Sequence, residues 1–172
     1  MKLKAEVDAM RKYIPVVEAL RNEHLEPGHS RRMDEIMKLR MPLGRERGVL
    51  DDKEVTFGFV YDMSIVDVAP ELVEVSVMAT QEAMINRELI DINTIWQGGI
   101  GRRPVEFLLT KLKDASNIQV IGPNIDDVMA TVEETLVRAS ALTTNRFCEG
   151  PLKSRADKLE DEIRAIGRTV EQ

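Results

Sequence analysis

Apolar residues near the start of the chain recur at a helical period. They are Leu3, Val7, Met10, Ile14 and Val17. Their separations of 4, 3, 4 and 3 residues predict a helix with one narrow apolar seam. Pro15 has no backbone N–H, so we expect a break near Tyr13 and a second helical piece that reaches about Asn22. After a turn at EHLEPGHS, Ser30 is placed to cap a short helix.

The tail after Gly150 carries a second heptad seam. Its positions are Leu152, Ala156, Leu159, Ile163, Ile166 and Val170. A helix of two to three heptads is marginal in water, so this seam must be covered either within the chain or by a second subunit. The sustained heptad spacing is narrower than the stripe of a helix that lies on a sheet, and it favours a homo-oligomer, most simply a homodimer.

The centre of the chain alternates between strand and helix patterns. Every second residue of VTFGFVY, residues 55–61, is apolar, which predicts a first strand. Pro70 then opens a helix that runs to about Asn86, and Ile90 to Trp96 is predicted as a second strand. The segment VEVSV, residues 73–77, also alternates and fits a strand, but the helix formers from Ala79 onward favour a helix.

Two further strand and helix patterns complete the central region. A glycine-rich loop leads into a predicted helix from Pro104 to about Lys113, and IQVI, residues 118–121, is predicted as a third strand. Asn124 or Asp126 then caps a helix over residues 125–141.

Three repeats of strand, loop and helix predict an α/β fold. We expect a parallel sheet of about three or more strands with covering helices, Rossmann-like or flavodoxin-like, plus N- and C-terminal helices. In this organisation residues 1–48 form a helical N-terminal segment, residues 49–145 an α/β core with three βα units, and residues 146–172 a C-terminal helix for packing or oligomerisation. Together they are expected to form one compact domain.

The loop QGGIGRRP is the most informative candidate for a binding site. Its glycines let backbone amides approach an anion, and its arginines supply charged donors for a phosphate or carboxylate. Ligands of parallel sheets bind at the carboxyl ends of the strands. At that edge Asn124, from the third loop, would lie beside the glycines and arginines of this loop. The predicted ligand-binding residues are Gly98, Gly99, Gly101, Arg102, Arg103 and Asn124. The alternative is a tight turn with two solvated arginines, and the loop matches neither dinucleotide-binding nor P-loop motifs.

Asp62 follows the first predicted strand, where a carboxylate can meet Mg²⁺ or act as a base. The competing interpretation is a residue that bonds its own turn backbone. Mg²⁺ is therefore a candidate cofactor, and the sequence indicates no other. His24 and His29 are separated by Pro27 and Gly28 and cannot share a regular helix face, so they are predicted to be exposed turn residues rather than metal ligands.

Composition narrows the class of protein. The chain has 172 residues and a net charge of −6, and residues 49–145 hold 16 acidic but only 7 basic side chains, so nucleic-acid binding is disfavoured. It has no apolar run of 18 residues and no signal-peptide pattern, which predicts a cytoplasmic protein without a membrane span. The single cysteine, Cys148, excludes an internal disulfide and is predicted to be a packed thiol.

Two functions remain open from the sequence. The first is binding of a phosphate- or carboxylate-bearing small molecule at the carboxyl ends of the strands, with or without catalysis, which makes an anionic small molecule the expected partner. The alternative is a non-catalytic assembly or regulatory subunit that uses its terminal heptad helices. The sequence does not decide whether the protein is an enzyme.

Overall fold

The computed structural model describes residues 2–38, 57–62, 65–100, 103, 105, 109–111, 118–120 and 125–170. Within these residues the chain forms seven α-helices, one short 3₁₀ helix and two three-residue strands. The helices are α1 (Lys2–Arg11), α2 (Ile14–Leu20), α3 (Pro27–Lys38), α4 (Phe57–Asp62), α5 (Ala69–Gln97), α6 (Ile125–Thr143) and α7 (Gly150–Val170). The 3₁₀ helix is Ile65–Val68, and the strands are β1 (Leu109–Lys111) and β2 (Ile118–Val120).

The predicted α/β fold with a parallel sheet is wrong, because the described chain is predominantly helical. The sheet within the described residues has two strands, β1 and β2, which pair antiparallel with Leu109 opposite Val120. β1 falls where a helix from residue 104 was predicted. The predicted division into residues 1–48, 49–145 and 146–172 stays a prediction.

The predicted second strand, residues 90–96, is part of the 29-residue helix α5. In a strand, Ile90 and Ile92 would share one face, but Ile92 is fully buried and Ile90 is 53% exposed. Leu89 is buried with Ile92 at a spacing of three, as a helix requires. VEVSV is also part of α5. In a strand Val75 and Val77 would share one face, but Val75 is buried and Val77 is exposed.

The predicted first strand is also replaced by a helix in its described part. Residues 57–62 form α4, and residues 55 and 56 lie outside the described residues. Val60 is buried, whereas Phe57 and Tyr61 are both exposed and lie four residues apart on one helical face. The apolar alternation of VTFGFVY therefore does not correspond to two faces of a sheet.

The chain folds into two compact units, Met1–Ala83 and Met84–Gln172. In the first unit the break predicted near Tyr13 is present, because α1 ends at Arg11 and the Tyr13 N–H donates to the Met10 carbonyl. α3 begins at Pro27, inside the predicted turn, so Ser30 lies within the helix rather than at its cap. The buried core of this unit comprises Val16, Ala19, Met33, Met37, Val60, Ile65, Val68, Leu72 and Val75.

Polar contacts tie the turn between α2 and α3 to α5 in this unit. The Asn22 amide donates to the Ser76 carbonyl at 2.8 Å and to the Thr80 hydroxyl at 2.8 Å. Such contacts satisfy the amide and fix the turn against the long helix.

The predicted exposure of His29 is wrong, because this residue is only 9% exposed. Its Nδ1 accepts from the Glu26 N–H at 3.2 Å, and its Nε2 lies 3.2 Å from the Glu82 carboxylate. His29 thereby caps the start of α3 in the manner of a capping box. The histidine is used to begin a helix and to hold it against α5.

The second unit is built on an antiparallel hairpin of α6 and α7 beside the second half of α5. Gly167 near the end of α7 meets Val132 near the start of α6, while Lys153 at the start of α7 bonds to Thr143 at the end of α6. The C-terminal heptad seam thus lies inside this unit, packed among residues of the same chain. The buried core comprises Ile85, Leu89, Ile92, Val132, Ala139, Cys148, Ala156, Leu159 and Ile163.

Candidate functional site

The glycine loop follows the C-terminus of α5 rather than a strand. Gly98 has a φ of 78°, and its N–H donates to the Thr94 carbonyl at 3.0 Å, which ends the helix with a left-handed residue. A Cβ at Gly99 would lie only 2.8 Å from Thr94 Cγ2, so packing alone accounts for this glycine. The end of a helix presents free carbonyls and a partial negative charge, which repels an anion.

Of the other predicted ligand residues, the structure describes only Arg103. Arg103 is exposed at the surface. Gly101, Arg102 and Asn124 lie outside the described residues. The predicted set of Gly98, Gly99, Gly101, Arg102, Arg103 and Asn124 therefore stays a prediction as a set of contacts.

The predicted metal residue, Asp62, is the last residue of α4, and its side chain is not among those described. In the described part of the chain no three His, Cys, Asp or Glu side chains form a group able to hold a metal ion. Mg²⁺ at Asp62 stays a prediction.

Among the described residues, a cluster of charged side chains joins α5 to α6 through Arg138. Its Nε lies 2.6 Å from Glu88 Oε1, and one Nη lies 2.6 Å from Asp91 Oδ2. Hydrogen bonds to Glu88 and then Asp91 raise the pKa of the Arg138 guanidinium above its ordinary value, so the group stays charged. Glu134 lies one turn earlier on α6, and its Oε1 is 3.6 Å from Nη1 of Arg138. The Arg138 guanidinium is thus occupied by carboxylates of its own chain.

Glu160 holds the α6–α7 hairpin together. Its carboxylate accepts from the Ser140 hydroxyl at 2.8 Å and from the Thr143 hydroxyl at 3.0 Å, and it pairs with Arg164 on its own helix. The hydrogen bond from Arg164 contributes most to lowering the pKa of Glu160, and that from Ser140 comes next. The carboxylate is thus held in its charged form as a structural contact.

The turn between α6 and α7 is secured by Lys153. Its ammonium donates to the Thr143 carbonyl at 2.7 Å and pairs with Asp157 at 2.8 Å, so it satisfies a carbonyl at the end of α6. Cys148 in this turn is buried, and desolvation raises the pKa of its thiol. A thiol that stays protonated is a poor nucleophile, so Cys148 is a packed residue.

A groove of about 540 Å³ runs between α6 and α7 in the second unit. Gly167 lies in the groove, and a Cβ there would be 3.0 Å from Val132 Cγ1, so the glycine allows the two helices to approach closely. The groove is lined by apolar side chains together with two acidic and two basic side chains. Its lining includes Met129, Leu136, Glu133, Asp161, Arg164 and Arg168.

The comparisons with known proteins agree with a predominantly helical structure. The sequence model of the family described as dynein heavy chain, N-terminal region 2, matches residues 1–172. The chain belongs to this family. It is 23% identical over 172 residues to a human protein named dynein axonemal heavy chain 6, an alignment that covers 99% of this chain and 4% of that relative. No solved structure matches the chain.

Family membership overturns the predicted function. A dynein heavy-chain region built from packed helices is not a Rossmann-like domain that binds a phosphate or carboxylate ligand, and the anion-binding prediction is wrong. The comparisons and the structure give no support to an anionic small molecule as partner. They do not support the homodimer through α7 either, because α6 and α5 of the same unit cover that helix. No helix among the described residues is long and apolar enough to cross a membrane.

The sequence did not predict the contacts of Arg138 and Glu160 that join the helices of this dynein region. Part of their local pattern is nevertheless present in the sequence. Glu134 and Arg138 form an i, i+4 pair of opposite charge, and such pairs mark the solvent-facing edge of a helix. Glu160 and Arg164 form a second pair with the same spacing. Their partners on other helices, such as Glu88, have no such local signal.

Proposed function

We propose that the chain is a non-catalytic structural segment of a dynein heavy chain, with a role in protein assembly within that heavy chain. The observation that carries the proposal is the family match over the whole of residues 1–172. The chain spans only 4% of the relative it matches, so the activity of the whole relative is not assigned to this segment.

The contacts of the described residues support a structural role. Among the described residues of the second unit, the charged side chains of Arg138 and Glu160 join helices. In the first unit His29 and Asn22 cap and tie helices in the same way. Groups that hold helices together in this manner set the shape of a segment rather than react with a substrate.

The name of the relative also bears on location. The human relative is described as axonemal, and the proposal places this chain in the axoneme as part of a heavy chain. This location is a narrower form of the cytoplasmic prediction made from the sequence.

The experiment that tests the proposal asks what polypeptide contains the segment and where it is found. Antibodies raised against residues 125–170 are used to probe isolated axonemes and the remaining cell fractions, with mass spectrometry of the captured band. We expect a polypeptide far larger than the 19.5 kDa of this chain, enriched in axonemes together with other dynein subunits. A native polypeptide of about 19.5 kDa, or one absent from axonemes, would refute the proposal.

A further inference from the structure

His29 lies buried where two helices of the first unit meet. It is the third residue of α3 and is only 9% exposed. Its Nδ1 accepts a hydrogen bond from the Glu26 N–H at 3.2 Å, and its Nε2 lies 3.2 Å from the Glu82 carboxylate of α5. Histidine is the side chain whose ordinary charge change falls between about pH 5 and about pH 8. A buried imidazole that joins two helices is therefore a place where their contact can depend on pH.

The two contacts define where the neutral imidazole carries its proton. Because Nδ1 accepts from a backbone N–H, the proton of the neutral ring is on Nε2, from which it is donated to Glu82. Both ring nitrogens are then satisfied, as a buried polar group requires. The neutral form is thus the one that caps α3.

Protonation changes these two contacts in opposite directions. The added proton is on Nδ1, where it faces the Glu26 N–H, so that two donors meet and the cap loses its acceptor. The positive charge also lies in the first turn of α3, where the helix dipole disfavours a cation. The contact with Glu82 instead becomes an ion pair with a charge-assisted hydrogen bond. A protonated His29 therefore releases the start of α3 and holds α5 more tightly.

The charged groups of the described elements around His29 are mainly acidic. They are Glu82 on α5, Asp67 on the 3₁₀ helix that packs against α3, Asp34, Arg31 and Arg32 on α3, and Glu26 just before it. Glu82 lies at the ring itself, whereas both arginines are exposed, and Arg32 is directed to the Met78 sulfur at 3.7 Å. A carboxylate beside the ring supplies the counter-charge that a buried imidazole needs in order to take up a proton.

We propose that His29 is a pH-sensitive cap of α3. In its neutral form it accepts from the Glu26 N–H and holds the first turn of the helix. In its protonated form it gives up that bond and pairs with Glu82 on α5. The device lies within residues 1–83 and does not depend on the assignment to a dynein heavy chain.

Hydrogen exchange measured by mass spectrometry tests the proposal on the intact polypeptide that contains residues 1–172. Exchange is followed at several values from about pH 8 to about pH 5, and each rate is divided by the intrinsic rate at that pH. We expect the peptide over residues 25–31 to lose protection about fivefold as the pH falls, since the loss of a side-chain cap frays the first turn of a helix by about this factor. A peptide over residues 72–79 of α5, which contains buried core residues, should keep its protection.

The chain has two histidines, which allows matched control variants. His29→Gln keeps an acceptor at the third helical position, as in a capping box, but has no charge to gain, so protection of residues 25–31 should not vary with pH. His24→Gln removes the histidine that lies 3.7 Å from Glu23 in the preceding turn, and it should leave the wild-type response in place.

Glu82→Gln separates a titrating cap from a merely structural contact. The glutamine oxygen still accepts from Nε2 of the neutral ring, but the counter-charge of the protonated ring is lost. The loss of protection should therefore occur at lower pH than in the wild type, while the protection at about pH 8 is retained.

The proposal is overturned by wild-type protection that does not change with pH, by a response that persists in His29→Gln, or by one that disappears in His24→Gln. An unmoved transition in Glu82→Gln would overturn it as well, because the protonated ring would then not pair with Glu82. If His29→Gln fails to form α3 at any pH, the comparison of the wild type with His24→Gln and Glu82→Gln still decides between these outcomes.

Discussion

Replacement of Ile163 by alanine separates an intrachain core from an oligomer interface. Ile163 lies on α7, is fully buried, and packs within the core of the second unit. Removing three carbons from such a site lowers the free energy of unfolding by about 2–5 kcal/mol, because apolar burial is lost and a cavity is left behind. Alanine has the higher helix propensity, but the gain of a few tenths of a kcal/mol is too small to offset this cost.

Ile90→Ala is the control for this substitution. Ile90 is in a helix of the same unit but is 53% exposed, so its replacement should change the free energy of unfolding by no more than about 0.5 kcal/mol. The two variants share the same chemical change and differ in burial.

Urea unfolding followed by tryptophan fluorescence measures both variants. Trp96 is the only tryptophan, and its indole N–H donates to the Thr135 hydroxyl at 3.2 Å, so it reports on the packing of α5 against α6. With a urea slope of about 2 kcal/mol/M, the midpoint of Ile163→Ala should fall by about 1–2.5 M. An unchanged midpoint, accompanied by conversion of a dimer to a monomer in light scattering, would show that Ile163 lies at an interface between copies.

Three further predictions concern the same chain. Glu160→Gln should lower the free energy of unfolding by about 1 kcal/mol at pH 7. Because the folded pKa of Glu160 is lowered, the wild type has its full contribution above the ordinary glutamate pKa and loses it as the pH falls through the folded value. The variant should show a flatter acid dependence in urea titrations from about pH 7 to about pH 3, and equal slopes would contradict the assignment. Gly167→Ala should leave the free energy of unfolding nearly unchanged, because the gain in helix propensity of about 1 kcal/mol is offset by the close contact of the added Cβ with Val132. In the Val132→Ala background the same substitution should stabilise the chain by about 1 kcal/mol, and additive effects in this double-mutant cycle would exclude the contact. Gly98→Ala should lower the free energy of unfolding by about 1 kcal/mol, because Gly98 has a left-handed φ. Gly28→Ala should be neutral or stabilising, because no atom lies within 4 Å of the added Cβ. Thermal melts compare the two variants, and equal melting temperatures would contradict this difference.

The predicted function of anion binding was wrong because it depended on the order of elements. An anion site at Gly98, Gly99 and Gly101 requires a strand before the loop and a helix after it. A helix precedes the loop instead, which reverses the sign of the local dipole. Local sequence identifies glycines and arginines that suit an anion, but it does not say at which end of a helix they lie.

Several helices could be predicted from local signals alone. Heptad spacing predicted α7, and Pro15 predicted the break between α1 and α2. A capped apolar pattern predicted a helix over residues 125–141, and α6 spans residues 125–143, so its end was predicted to within two residues. Helical hydrogen bonds join residues four apart, so a segment carries most of the information needed to form them.

The remaining elements depend on packing between distant parts of the chain. The apolar run over residues 90–96 satisfies both a strand and a buried helix, and a strand would need a partner that no local pattern supplies. Burial of Leu89 and Ile92 in the second unit selected the helix. The α7 seam likewise has the same spacing whether it meets α6 or a second copy, and only the packing against α6 showed that its cover lies within the chain.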